Sequence, residues 1–177
     1  MSAERIEHTI RVCEAAIDLA KLNGVSIGDA ITAALLHDIG KYADIELQSL
    51  EDVPKPVRHS RIGAFIAEKL FGAPPLIVEA IAQHTTGAPA MSDLSKVIYL
   101  ADYIEKGRSF EGLDTIRKAA YVDLDKGMLA ALDRTLEQLQ GKNNADISDM
   151  TRKAYEYYKQ RIKADCRASL AIELFRN

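Results

Sequence analysis

His8, His37, His59 and His84 are all the histidines of this 177-residue chain, and every one lies in its first 84 residues. Each falls on a separate segment of helical pattern. Asp38 follows His37 directly and Asp102 closes an apolar run, so the order reads His, His-Asp, His, His, Asp. Imidazole and carboxylate donors together suit zinc, iron, manganese or nickel, whereas thiolate-rich sets suit structural zinc or iron–sulfur clusters. A lone histidine is most often a surface residue or a hydrogen-bonded core residue. Four of four, spread over successive helices and followed by a carboxylate in apolar surroundings, is the pattern of a ligand set. Asp102 ends the run Val97-Ile98-Tyr99-Leu100-Ala101, where burying an unpaired polar group costs roughly 2–7 kcal/mol and a charge more. A cation relieves that cost most simply, and an ion pair with Arg5 or Arg108 is the plainer alternative.

The elements that position these residues are read from helical period and its stop signals. Ile6, Ile10, Cys13, Ile17 and Ala20 recur at three- and four-residue steps, as a core stripe would, and Asn23-Gly24 stops the first helix. His8 lies on the opposite side of that helix beside Val12 and Leu19, so a helix buried between layers would turn it inward. Ser26 and Asp29 read as a capping box for a second helix, Ala30 to Ile39, closed by Gly40. His37 and Asp38 end it. Adjacent helical residues point about 100° apart, so one metal takes both only at a distorted helix end, or Asp38 gives one oxygen to each of two adjacent metals. A connection over 42–58, containing Pro54 and Pro56, leads to a third helix from about His59 to Gly72. Pro74-Pro75 starts a fourth, Leu76 to His84. Ser92 caps a fifth, Leu94 to Ile104. Leu113 to Ala120, Leu124 to Leu139 (stopped by Gly141) and a last helix from about Ser148 complete the chain. No strand, repeat or low-complexity tract is evident. The expected fold is all-α, an irregular multi-helix bundle in a single domain over 1–177, with 142–177 a C-terminal helical segment packing on or extending the core.

Bulk properties exclude several function classes. The hydrophobic content of 47% with 28% charged residues is that of an ordinary globular protein. A net charge of −3 gives no electrostatic reason to expect nucleic acid. Cys13 and Cys166 fit no metal or redox spacing, the polar start Met1-Ser2-Ala3-Glu4-Arg5 has no apolar signal region, and no apolar run is long enough to span a bilayer. A reducing, cytoplasmic setting without membrane contact is expected, and a homodimer is left open. Tyr155, Tyr157 and Tyr158 at helical spacing read as packing residues, and Glu4-Arg5 and Lys159-Gln160-Arg161 as solvated faces. No Ser-His-Asp or Cys-His nucleophile and no phosphate-cradling glycine loop is present.

The local wording around the ligands is more specific. Arg5-Ile6-Glu7-His8-Thr9, Leu35-Leu36-His37-Asp38-Ile39-Gly40-Lys41, His59-Ser60-Arg61-Ile62-Gly63-Ala64, Ala82-Gln83-His84-Thr85-Thr86-Gly87 and Tyr99-Leu100-Ala101-Asp102-Tyr103-Ile104-Glu105-Lys106-Gly107-Arg108 resemble the HD-domain superfamily of metal-dependent phosphohydrolases. Within it they are similar to the YqeK-type bacterial symmetrical bis(5′-nucleosyl)-tetraphosphatases, over roughly residues 4 to 158. Two departures, Lys106 where the family often has proline and Glu156 where it has asparagine, touch the nucleotide pocket rather than the metal ligands.

The resemblance implies an HD-type bundle and hydrolysis of diadenosine tetraphosphate to two ADP by metal-activated water. It implies one or two divalent ions, iron first, with manganese, cobalt or nickel as alternatives. It assigns the principal metal to His8, His37, Asp38 and Asp102, and sets His59 and His84 to face phosphate or hold a second metal. Arg5, Lys41, Thr85 and Arg108 match nucleotide-contacting positions, and Thr151 matches the place where the family closes over the nucleoside. Residue chemistry agrees: a metal supplies a nucleophile and screens phosphoryl charge, Asp38 or Asp102 can orient or deprotonate water, and His59, His84, Lys41 and Arg108 offer donors to a polyphosphate. The alternatives are another HD-type hydrolase, acting on a nucleoside monophosphate, a dNTP or a guanosine polyphosphate, and a non-catalytic nucleotide- or metal-binding regulator.

Overall fold

The structure, a computed structural model, describes residues 2–43, 45, 50, 53–140 and 148–174, the side chains of 140 and 167–174 excepted. Its described residues form eight α-helices and no strand: α1 (Ala3–Leu22), α2 (Ile27–Leu36), α3 (Lys55–Phe71), α4 (Pro75–Gln83), α5 (Asp93–Ile104), α6 (Leu113–Val122), α7 (Leu124–Gln140) and α8 (Asp149–Leu174). A 3₁₀ turn over Ile39–Tyr42 follows α2. The expected all-α irregular bundle is what is found. Gly141, the expected stop of α7, lies outside the described residues.

The bundle is organised around α5. Nine of its twelve residues are buried, from Leu94 to Ala101 and again at Ile104, as expected of a helix that is apolar on most sides. It packs against α1, α2, α4, α6 and α7, while α8 packs on α7. Ser92 starts α5 with its hydroxyl accepting from the Ser95 N–H, and Ser26 does the same for α2 from the Asp29 N–H. Asp102 therefore comes off the last turn of the most deeply packed helix of the fold.

Three sequence expectations need correction. The inward face of α1 is Val12, Ala15, Ala16, Leu19 and Ala20, whereas Ile6 and Ile10 are 43% and 52% exposed. Small alanines on the Val12/Leu19 side let α1 sit close to α2 and α5, and close approach selected that face over the larger isoleucines. His8, on the same side, is turned inward as the sequence suggested. Second, α3 begins at Lys55 rather than near His59, with Pro56 in its first turn, where a missing N–H has no helical partner to lose. Third, Arg161 is not merely solvated: its guanidinium pairs with Asp125, which also accepts from the buried Lys96 at 2.7 Å, tying α8 to α7 and α5. Tyr158 does pack as expected, fully buried, with its hydroxyl accepting from the Met91 N–H.

Candidate metal centre

The His-Asp pair is positioned by an early helix end. The hydrogen-bonded turns of α2 stop at Leu36; His37 keeps helical angles (φ −53°, ψ −39°), but Asp38 shifts to φ −101°, ψ 6° before the 3₁₀ turn. That bend turns both side chains to one side, with His37 Nε2 3.6 Å from Asp38 Oδ2. The distorted helix end that shared use of His37 and Asp38 required is present.

Gly40 brings this turn against α3. A Cβ there would stand 2.1 Å from the His59 carbonyl oxygen and 2.6 Å from the Gly63 nitrogen, so only glycine permits the contact. Across it, Asp38 Oδ1 lies 3.5 Å from the Nε2 atoms of both His59 and His84. His84 caps the C-terminus of α4, and its Nε2 is 3.2 Å from that of His59. On the other side α1 delivers His8, with Nε2 3.2 Å from Asp102 Oδ1. Successive imidazole centroids, His8 to His37, His37 to His84 and His84 to His59, are 5.5, 5.1 and 5.1 Å apart. All six sequence-predicted ligands converge.

Hydrogen bonding fixes which nitrogen faces inward. The Nδ1 atoms of His37, His59 and His84 lie 2.7, 2.9 and 2.8 Å from the carbonyls of Ala34, Pro56 and Ile81. A carbonyl only accepts, so each Nδ1 carries a proton, and each ring in its neutral form aims an unprotonated Nε2 at Asp38. Lone pairs then face lone pairs across the cluster. His37 Nε2 and Asp38 Oδ1 are buried with no hydrogen-bond partner, which is costly unless a cation sits among them. The donors fall into overlapping sets whose atoms all lie within 4.8 Å of one another: His8, His37 and Asp38; His37, His84 and Asp102; Asp38, His59 and His84. Asp38 belongs to two of them, one oxygen toward His37 and the other toward His59 and His84.

Electrostatics prepares the same state. Burial, then the neighbouring His84 imidazole, lowers His37, and burial followed by His84 and Lys41 brings His59 down to about 4. Burial pushes Asp38 upward, but contacts with His84, His37 and Lys41 outweigh it and hold the carboxyl below its usual range. Burial likewise opposes ionisation of Asp102, and His8, His37, His84 and Arg108 outweigh it. His37 and His59 are thereby favoured neutral beside ionised carboxylates, as a divalent cation requires of its ligands, while the hydrogen bond to Asp102 raises His8.

Around this centre stand the cations the sequence singled out. Lys41 Nζ donates to Asp38 Oδ2 at 2.6 Å, and the Arg108 guanidinium donates to Asp102 Oδ1 at 2.7 Å. Thr85 Oγ1 is 3.2 Å from Nε2 of both His59 and His84. Arg5 is exposed on the first turns of α1, its guanidinium 5.4 Å from the centroid of the Tyr42 ring. Thr151 is buried in the first turn of α8; its neighbours Ser148, Asp149 and Met150, rather than Thr151 itself, line a cavity of 300 Å³ with Ser60, Arg61 and Thr86.

The sequence reading passed over Glu105. It is 3% exposed and its carboxylate accepts from His8 Nδ1–H at 3.2 Å and from Arg11 Nε at 2.6 Å. It thereby fixes the ring whose Nε2 faces Asp102, the carboxylate–histidine arrangement common behind metal ligands. Its position three residues after Asp102, on the same helical face, was the available signal.

Comparison with known proteins agrees with this geometry. The chain matches the HD domain family over residues 5–107. It is 37% identical over 161 residues to a protein of Halalkalibacterium halodurans named bis(5′-nucleosyl)-tetraphosphatase, symmetrical, covering 84% of this chain and 86% of that one. A Bacillus subtilis protein of the same name is 34% identical, covering 84% and 87%. In three dimensions the chain superposes with a TM-score of 0.80 and 33% identity on a Clostridium acetobutylicum crystal structure, over 91% of this chain and 92% of that one. That protein is described as a predicted HD superfamily hydrolase involved in NAD metabolism. The chain belongs to the HD domain family and, within it, to the family of the symmetrical bis(5′-nucleosyl)-tetraphosphatases.

Proposed function

We propose that this protein is a metal-dependent hydrolase that splits diadenosine tetraphosphate, and dinucleoside tetraphosphates generally, into two nucleoside diphosphates. The observation that carries the reading is the convergence of four imidazole Nε2 atoms and two carboxylates, with His37 Nε2 and Asp38 Oδ1 left without any hydrogen-bond partner. In this reading His8, His37, Asp38 and Asp102 hold the principal divalent ion, iron being the first candidate. His59 and His84, with the second oxygen of Asp38, hold another ion or face phosphate. When bound, such an ion supplies Lewis acidity, polarising phosphoryl oxygens and making water more acidic.

The remaining residues bind and orient. Lys41, beside Asp38, and Arg108, beside Asp102, meet the negative charge of the polyphosphate, Lys41 as a point charge and Arg108 as a two-pronged donor. Arg5 extends the positive edge beyond Tyr42. Thr85 Oγ1 donates to a phosphate oxygen at the His59/His84 end. The cavity beside Ser148–Met150 and Thr86 seats one nucleoside, with Thr151 supporting its wall. Asp38 or Asp102, held ionised, orients the attacking water through a hydrogen bond, and the water's proton passes to solvent. Oxygen adds to an inner phosphorus, the central P–O bond breaks, and the leaving half departs as a nucleoside diphosphate, so one water is consumed for two ADP.

In this reading the C-terminal helix α8 belongs to the same domain, anchored to the core by Tyr158 and Arg161. Among the described residues no helix is long and apolar enough to cross a membrane. The free thiols of Cys13 and Cys166 suit the cytoplasm. The test is incubation of purified, iron-loaded protein with diadenosine tetraphosphate and chromatography of the products. ADP as sole product supports the reading, AMP with ATP overturns the central cut, and no turnover overturns the activity.

A further inference from the structure

A second cavity opens beside Asp102. It measures 380 Å³ and is bordered by Asp102, Tyr103, Arg108, Ser109, Phe110 and Gln138, within the size range of small-molecule seats. Asp102 is at once a candidate metal ligand and part of this wall. Its Oδ1 accepts from the Arg108 guanidinium at 2.7 Å, and its main-chain carbonyl accepts from Arg108 Nε at 3.1 Å, so the arginine stands where the centre meets the cavity. Beyond it the wall turns aromatic. The Tyr103 and Phe110 rings meet edge to face with centroids 5.6 Å apart, and the exposed Gln138 contributes an amide able both to donate and to accept.

We infer that this cavity seats the second nucleoside of a dinucleoside polyphosphate, with Phe110 and Tyr103 against the base, Gln138 at its polar edge and Arg108 on the adjoining phosphates. The inference rests on the proposed function, and the topology of the centre supports it. Asp102 carries Arg108 on its outer side and shares a donor set with His37 and His84, while Asp38 shares another with His59 and His84. One cavity is lined by Ser60 and Thr86, next in sequence to His59 and one residue beyond Thr85, and the aromatic one is walled by Asp102 itself, so the two border the cluster at different residues. A substrate with a nucleoside at each end and four phosphates between them needs a seat on either side of the metal centre. Two such seats also set the register of cleavage, because they hold the middle of the polyphosphate over the ligands rather than one of its ends. A base stacked on an aromatic side chain is sequence-tolerant, since every base offers a π-face, so this seat confers length selection more than base selection.

The experiment compares diadenosine tetraphosphate with adenosine 5′-tetraphosphate, which has the same phosphates and one nucleoside fewer. Both are assayed with unaltered protein and with Phe110→Ala and Gln138→Ala, each metal-loaded. Phe110→Ala is expected to raise KM for the dinucleotide about ten-fold while changing KM for the mononucleotide less than two-fold, and Gln138→Ala to show the same split more weakly. Phe110 is half-buried against the core, so its thermal midpoint is measured alongside; Gln138 is exposed, and its split does not depend on folding. Equal loss on both substrates, or no loss on either, overturns the second seat. Failure of the unaltered protein to turn over diadenosine tetraphosphate refutes instead the proposed function beneath it.

Discussion

Replacing Gly40 by alanine is expected to damage the centre from outside it. The added Cβ would begin 2.1 Å from the His59 carbonyl oxygen and 2.6 Å from the Gly63 nitrogen, where ordinary contact starts at 3.4 Å. Both obstacles are backbone, so relief requires moving the 3₁₀ turn away from α3 by about 1.3 Å, the difference between 3.4 and 2.1 Å. Asp38 rides on one side of that seam and His59 on the other, 3.5 Å apart now. Overpacking costs about 1–3 kcal/mol, and backbone obstacles place this case at the upper end; for a chain of this size that lowers Tm by roughly 6–12 °C. A displacement near 1 Å at a reacting centre reduces rate by about 100-fold. The assay is circular dichroism melting beside kcat/KM on diadenosine tetraphosphate, both at a temperature where the variant is folded. Gly24→Ala is the control, since Gly24 has φ +66° with open space around it: it loses about 1–2 kcal/mol to left-handed strain and keeps full activity. A Gly40→Ala protein with unaltered melting and rate would refute the close-approach argument.

Other perturbations probe the centre directly. Glu105→Gln leaves the size of the side chain but weakens its hold on His8, so metal affinity measured by competition with a chelating dye falls about 10–100-fold; unchanged affinity would remove Glu105 from the centre. The metal-free protein is expected to lose stability as pH drops from about 6.5 toward 4. The His59 imidazole is protonated near 6.5 in the unfolded chain and near 4 in the folded one, so protons bind the unfolded state preferentially in that window, by on the order of 3 kcal/mol in full. His8, which its Asp102 hydrogen bond raises, contributes with the opposite sign, and His59→Gln should leave a shallower decline in urea midpoints; an identical decline would contradict the assignment. Adding divalent metal at about 100 times its dissociation constant should stabilise the native state by about 2.7 kcal/mol, read as a rise in Tm of several degrees that His37→Ala abolishes. No rise in the unaltered protein would contradict a metal site preformed by folding.

The residues that converge in the cluster were legible because their chemistry is carried by rare residue types in fixed order: no packing argument is needed to notice His37-Asp38 or a carboxylate after Val97–Ala101. Helix ends were legible where the signal is local, as with Ser26, Ser92, Gly72 and Pro75. What required three dimensions was choice between competing faces. On α1 the isoleucines Ile6 and Ile10 made the more hydrophobic stripe, yet Val12, Ala16 and Leu19 face the core, because two neighbouring helices approach more closely over small side chains than over large ones. The role of Gly40 was hidden for a similar reason. Read from the chain as the stop of a helix running to Ile39, the glycine lies instead within the 3₁₀ turn after α2 has ended at Leu36, and its contact with His59 and Gly63 is made with residues some twenty positions away. Glu105 was visible in the motif, but its work on His8 spans 97 positions of sequence.

The most direct test of the central claim is chelation and restoration. Protein stripped by chelator, then returned to iron(II) without oxygen, is assayed for ADP released from diadenosine tetraphosphate, beside His37→Ala treated identically. The account predicts release that vanishes on stripping, returns with metal and stays absent in the variant. Equal release by stripped and metal-loaded protein would contradict it.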